Sequence, residues 1–227
     1  MANPSREHLE KTLSALFDAE RTARKLHDEL ADAKSDAVID VLTSAIEAAN
    51  KEPREEEAAL RLVRIANVLG TLEGPRVVDA LIDVLGTEWP EPRQAAGDEL
   101  ESLAYDRFKE VAQGVERALK RLPVGSPALT ELPYILAEVP EPGVSKLLTM
   151  FLEHEDPEAV AAALTAAVEM GDGSLAKHVK KLLGDKRVAE LAEEGEEEVQ
   201  TVTIGELAEE ALEVLEVMEG ESSRDDA

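Results

Sequence analysis

The sequence predicts an all-α fold, an α-solenoid (superhelix) of about five antiparallel helix pairs preceded by an N-terminal capping helix. Only 3% of the 227 residues are aromatic, so Leu, Val, Ile and Ala must build the core, and these residues suit closely packed helices. Apolar residues recur at helical spacing in short segments bounded by proline and glycine. The first helices of successive pairs begin near positions 35, 74, 107, 142 and 173, at steps of 39, 33, 35 and 31 residues.

The first predicted helix is long and runs from Pro4 to about Ala31. Its apolar stripe consists of Leu9, Leu13, Leu16, Phe17, Ala23, Leu26 and Leu30. We expect this stripe to cover the first helix pair, because an amphipathic helix needs a neighbour to bury its apolar side.

The next helices follow cap and breaker signals. Ser35 can cap a helix that runs to Ile46. After Pro53 a second helix is predicted, ending at Gly70. Its expected stripe is Leu60, Val63, Ala66 and Leu69.

The stretch 74–100 contains two helices separated by a proline-marked break. The apolar residues of the first are Val77, Val78, Leu81, Ile82 and Leu85. A second helix begins after Pro90 and Pro92, since proline is tolerated in a first turn whose N–H groups have no intrahelical partner. A further helix is predicted over 107–122, and Ser126 with Pro127 opens its partner, which Pro133 should bend or break.

The helix predicted from Pro142 is the most regular, with Val144, Leu147, Leu148, Phe151 and Leu152 on one side. Asp156 and Pro157 begin its partner as cap and first-turn proline. Asp172 caps a short helix that ends at Gly184.

The C-terminal part is predicted to contain an acidic loop, one helix and a tail. Residues 186–201 contain the run EEGEEE and are expected to form a long exposed loop. Thr203 and Glu206 have the spacing of a capping box, so a helix should start there. The expected organisation is therefore a capping helix over 1–34, a repeat region over 35–218 and a disordered polar tail over 219–227.

Two segments resemble a known repeat. GPRVVDALIDVLG followed by PRQAA, and DPEAVAAALTAAVEMGDGSLAKHVKKLLG, resemble the bacterial HEAT repeat, whose second helix typically opens Asp-Pro-x-Val-Arg. The resemblance covers roughly residues 35–218 and implies a fold rather than a function. Tetratricopeptide repeats are disfavoured because their Trp, Tyr and Phe positions at a strict 34-residue period do not occur.

The net charge of the chain argues against two classes of binding partner. The net charge is −26, and 14 acidic residues against one basic residue from position 193 onward supply −13 of it. A field of this sign repels phosphate backbones, so neither nucleic acid nor an anionic membrane is an expected partner. No apolar stretch is long enough to span a membrane and no signal peptide is recognisable, so a cytoplasmic protein is expected. With no cysteine, disulfides and thiolate chemistry are excluded.

The sequence carries only weak signatures of the enzymes whose fold it resembles. A hydroxylase of the deoxyhypusine type uses several His-Glu dyads around two irons, whereas only His154-Glu155 has that order among the four histidines here. We expect His154 to be a surface histidine at a helix end. DNA glycosylases of HEAT-like fold need a basic aromatic groove, whereas Trp89, the single tryptophan, is expected to pack in an inter-helix turn. No catalytic residue, metal site or cofactor is therefore predicted.

The sequence favours a non-enzymatic scaffold or adaptor that binds a protein, possibly a basic one, through its second helices and its acidic loop. Two alternatives stay open: an enzyme or cofactor-handling protein like the bilin lyases, and an immunity protein that masks a basic toxin. The oligomeric state is left open. The candidate partner-binding residues are Arg61, Arg64, Asn67, Arg93, Gln94, Asp98, Thr130, Glu131, Thr165, Glu169, Glu194, Glu196, Glu197 and Glu198.

Overall fold

A computed structural model describes residues 4–33, 36–191 and 200–225, and within them the regular secondary structure is helical apart from one short hairpin. The all-α prediction is confirmed. The helices are α1 (Arg6–Asp32), α2 (Asp36–Ala49), α3 (Glu55–Gly70), α4 (Pro75–Leu85), α5 (Pro90–Arg121), α6 (Pro127–Ala137), α7 (Val144–Leu152), α8 (Pro157–Met170), α9 (Ala176–Val179) and α10 (Ile204–Asp225), and the strands are β1 (Val188–Leu191) and β2 (Gln200–Thr203). Short 3₁₀ turns flank α9 on both sides.

Local signals start several of these helices as predicted. The Asp156 side chain accepts a hydrogen bond from the Glu158 N–H at 3.1 Å and so caps α8. The capping box at α10 is confirmed: Glu206 Oε2 accepts from the Thr203 N–H at 2.9 Å, and Thr203 Oγ1 accepts from the Glu206 N–H at 3.2 Å. The proposed cap Ser35 lies outside the described residues.

Helices α2 to α10 pack around one continuous, mainly aliphatic core. Contacts join α2 with α3 and α4, then α3 with α5, α6 with α8, and α8 with α10. The predicted stripes of α4 and α7 are buried. In α3, by contrast, the expected stripe residue Leu60 is 55% exposed, and Leu62 and Ile65 are buried instead.

Of the two predicted helix interruptions, one occurs and the other does not. Arg107 has a non-helical backbone (φ −140°, ψ 48°) and divides α5 at the position where a new helix was expected. Its guanidinium donates to the Leu72 carbonyl oxygen at 3.0 Å, which ties the kink to the end of α3. Helix α6 instead continues through the buried Pro133, so the predicted break does not occur there.

The prediction that 186–201 forms one exposed loop is wrong. Strands β1 and β2 pair in antiparallel register, with Val188 opposite Thr203 and Ala189 opposite Val202. Ala189 is buried, and the Glu190 N–H donates to Glu158 Oε1 at 2.8 Å, which holds the hairpin on α8. The β-branched run of residues 201–203 was a signal for a strand, but the acidic composition around it favoured a loop. Residues 192–199 lie outside the described residues.

The two ends of the chain also differ from expectation. Helix α10 continues to Asp225, beyond residue 219 where the polar tail was expected to begin. Helix α1 forms as predicted, but none of its 27 residues, all of them described, is buried. Within the described part of the chain, no helix has the length and apolar character to cross a membrane.

Candidate functional site

The described candidate residues lie on α3, α5, α6 and α8, the second helices of the predicted pairs. The structure brings four of them together, namely Arg93, Gln94, Asp98 and Glu131, around a groove of about 420 Å³ between α5 and α6. We call this the acidic groove. Its lining consists of Leu85, Pro90, Arg93, Gln94, Gly97, Asp98, Glu101, Glu131, Tyr134, Ile135 and Glu138.

The charge of the acidic groove is strongly negative. Four of its side chains are carboxylates and one is a guanidinium, which gives −3. Arg93 is already engaged: its Nε lies 3.4 Å from Glu131 Oε1, and its Nη1 donates to the Glu88 carbonyl oxygen at 3.3 Å. Asp98, Glu101 and Glu138 therefore remain to attract a cation from outside.

The groove also has an apolar side. Leu85 is buried, and Ile135 is half-buried and packs against the core. Tyr134 is 39% exposed, and its hydroxyl is hydrogen-bonded to Thr165 of α8. Burial raises the pKa of Tyr134, and the neighbouring carboxylates of Glu169 and Glu131 raise it further, so the ring stays neutral. An aromatic face beside carboxylates suits a cationic side chain that carries an aliphatic stem.

A second depression, also of about 420 Å³, adjoins the groove and shares Glu138 with it. The predicted residue Glu169 lies here, together with Met170 of α8 and Val139 of the following turn. Asp172 borders it too; burial acts to raise the pKa of Asp172, but hydrogen bonds from Ser145 and Ser174 outweigh that effect and lower it. Carboxylates therefore continue along the surface from α5 to the end of α8.

The other candidates lie elsewhere. Arg61 pairs with Glu57 at 2.8 Å on its own helix. Arg64 and Asn67 line a different groove, of about 550 Å³, between α1 and α3. Thr130 donates to the Pro127 carbonyl oxygen at 2.8 Å, which is a local contact. The acidic residues Glu194, Glu196, Glu197 and Glu198 lie outside the described residues.

Several cations of the first helices also bridge neighbouring helices. Arg117 lies 2.9 Å from Asp79 and Arg121 lies 2.6 Å from Asp83, and both pairs join α5 to α4. Further pairs of this kind are Arg76 with Asp40, Lys146 with Glu116, and Lys181 with Glu153. Positive charge is thus largely neutralised between these helices, whereas carboxylates are in excess at the acidic groove.

Two residues considered for chemistry have structural contacts. Trp89 packs against the core at the start of α5, as expected. His154 is not a simple surface histidine: it is half-buried, its Nε2 lies 3.2 Å from the Leu119 carbonyl oxygen, and its Nδ1 accepts from the Asp156 N–H at 3.1 Å. Among the described residues, no group of three or more His, Asp or Glu side chains is placed to hold a metal ion.

Sequence reasoning missed several groove residues, chiefly Tyr134, Ile135 and Glu138 of α6 and its end. A signal for them existed. Glu131, Tyr134, Ile135 and Glu138 follow an i, i+3, i+4, i+7 spacing and therefore share one helix face. Of the residues on this face, only Glu131 was among the predicted candidates.

Comparison with known proteins adds little. No protein-family model and no curated protein matches the chain. One solved structure, described as an engineered protein of the Northeast Structural Genomics Consortium, is 20% identical over 87% of this chain and 90% of that one, with a TM-score of 0.34. At that level of similarity the two chains need not share a fold.

Proposed function

We propose that this protein is a non-enzymatic binding module whose acidic groove holds a basic segment of another protein. The observation that carries the proposal is the combination of an apolar wall with four carboxylates and one guanidinium that is already paired. Lysine and arginine side chains match this combination, because their stems cover apolar surface while their charged heads meet carboxylates.

The surrounding charge supports the same proposal. The chain carries −26, so long-range attraction speeds the approach of a basic partner and disfavours nucleic acid. The contacts of α3 with α5 and of α6 with α8 support the proposal, because second helices that stack on one another would present an extended surface. On this proposal the protein with its HEAT-like repeats acts as a scaffold. A basic toxin would be one of many partners that fit the acidic groove.

The test uses a short peptide that alternates arginine and leucine, titrated by calorimetry at low and at high salt. We expect the wild-type protein to bind it and the affinity to fall with salt, because the attraction between exposed charges is screened. Glu101→Gln with Glu138→Gln removes two groove charges and should weaken binding by roughly tenfold, about 1.4 kcal/mol.

The matched control is Glu47→Gln with Glu73→Gln, which removes the same charge at exposed positions outside the groove lining. It should bind almost as well as the wild type. Equal losses in the two double variants would mean that net charge, and not the groove, attracts the peptide. No binding at either salt concentration would reject the proposal.

A further inference from the structure

Helix α1 presents an apolar surface that its own chain leaves exposed. Six of its large side chains are 39–55% exposed, namely Leu9, Leu13, Leu16, Phe17, Leu26 and Leu30. At about 1.5 Å per residue the helix is about 40 Å long. Apolar area of this extent on one element is typical of an interaction site rather than of scattered surface residues.

The apolar surface continues onto α3. Glu20 of α1 lies 3.9 Å from Arg64, and the groove of about 550 Å³ between the two helices includes Leu26, Leu30 and Val68. Leu60, which is 55% exposed, shares the helix face of Arg64 and Asn67 because the spacings are four and three residues. We call α1 with this face of α3 the α1 patch.

We propose that the α1 patch binds a second copy of this chain, with the two α1 helices antiparallel and the N-terminal half of each lying in the α1–α3 groove of the other. In this arrangement Leu9 lies beside Leu30 of the second copy, Leu13 beside its Leu26 and Leu16 beside its Ala23. The two-fold axis makes every contact occur twice, as in most homodimers.

The width of the apolar face fits this occupant. On a helical wheel, Thr12, Leu16 and Ala19 lie on one side of the stripe, whereas Leu9, Leu13 and Phe17 lie on the other. If α1 of one copy (the arm) contacted only one helix of the other copy, a narrow apolar stripe would be enough. An arm that enters a groove between two helices needs both sides, one for α1 and one for α3 of the second copy.

The charge of α1 permits a second copy to bind on this patch. Helix α1 carries five basic and seven acidic side chains, so it contributes −2 of the total −26. In this register Lys11 of one copy falls opposite Asp28 of the other, whereas Glu10 falls opposite Glu29, so the attractive and the repulsive contact offset each other. Two copies that approach along α1 therefore repel each other less than two copies that approach through the more acidic remainder of the chain.

The contact area predicts a weak dimer. An arm about 40 Å long and 10 Å wide, with the groove wall, presents roughly 400–600 Å² per copy, and specific interfaces begin near about 1,200 Å² in total. The dimer should dissociate on dilution. Added salt should strengthen it by screening the acidic bodies, whereas salt weakens peptide binding in the acidic groove.

Sedimentation equilibrium of the full chain, from micromolar to submillimolar concentration at two salt concentrations, tests the proposal. We expect a reversible monomer–dimer equilibrium that salt shifts toward the dimer. Leu13→Glu should raise the dimer dissociation constant roughly tenfold or more, because it places a charge in the apolar contact. Ser14→Glu adds the same charge on the opposite side of the helix and should leave the equilibrium unchanged, with equal helical content in both variants.

Cysteine cross-linking tests the orientation, since the native chain has no cysteine. Ala19→Cys lies near the two-fold axis and should form a disulfide-linked dimer on oxidation, whereas Leu9→Cys at the end of the arm should not. A wild type that remains monomeric at every concentration overturns the proposal. So does cross-linking through Leu9→Cys, which would indicate parallel arms.

Discussion

Helices α1 and α8 both carry many apolar residues and both begin with a side-chain cap, yet one is exposed and the other is buried in the fold. In α8, eight of 14 residues are buried, and the helix contacts α6, α7 and α10. In α1, none of the 27 residues is buried, and its main contact is with α3. The comparison teaches that an apolar stripe shows where a helix can pack, not whether a neighbour is present to receive it.

The largest expected difference between the two helices concerns their leucines. Leu164 of α8 is 2% exposed, so Leu164→Ala should lower the free energy of unfolding by about 2–5 kcal/mol through lost burial and a residual cavity. Leu13 of α1 is 51% exposed, so Leu13→Ala should change it by less than about 0.5 kcal/mol. Urea denaturation followed by circular dichroism, at a concentration where the chain is monomeric, measures both. Equal losses would show that α1 packs on its own chain in solution.

The second-largest expected difference concerns the residues that cap the two helices. Asp156 is 1% exposed, and besides capping α8 it accepts from the Gly125 N–H at 2.8 Å, which links α8 to the loop before α6. Asp156→Ala leaves these N–H groups without their acceptor, and should lower the free energy of unfolding by about 1–3 kcal/mol.

Ser5 caps α1 by accepting from the His8 N–H at 3.2 Å, in an exposed setting. Ser5→Ala should fray the start of α1 while leaving global unfolding within about 0.5 kcal/mol of the wild type. Amide hydrogen exchange distinguishes the two results, because fraying speeds exchange in the first turn of α1 only. A global loss from Ser5→Ala would contradict the independence of α1.

The smallest expected effect concerns Glu99 of α5, at the place where α1 meets the rest of the chain. Burial raises the pKa of Glu99, Asp98 raises it further and the nearby His27 lowers it in part. A carboxyl whose pKa is higher in the folded state makes stability fall as pH rises from the unfolded value, about 4.3, through the folded one. Glu99→Gln should therefore stabilise the protein slightly at pH 7 and lose that advantage below about pH 4.

Denaturation of Glu99→Gln across this pH range provides the measurement, with Glu73→Gln, at an exposed position, as the control. The control should follow the wild-type pH dependence. Destabilisation by Glu99→Gln at pH 7 would show instead that the charged form of Glu99 holds α1 against the body.

Several residues of the acidic groove could be predicted from the sequence. That residues from different helices meet there could not be predicted. Arg93, Gln94 and Asp98 were identified because a helix pattern placed them on a polar face. Arg93 contacts Glu131 on another helix, and this depends on the packing of α5 against α6, which no local pattern encodes. Arg61, predicted on the same grounds, instead pairs with Glu57 on its own helix.

The sequence by itself determined the all-α class and most helix ends, because caps, first-turn prolines and apolar spacing act within a few residues. The pairing of Thr203 with Glu206 at α10 is such a local interaction. Only the tertiary structure decided which stripes are buried, that β1 pairs with β2 across the acidic run, and that α1 stays exposed. These outcomes depend on contacts between residues distant in the chain, whose free energy depends on which surfaces meet.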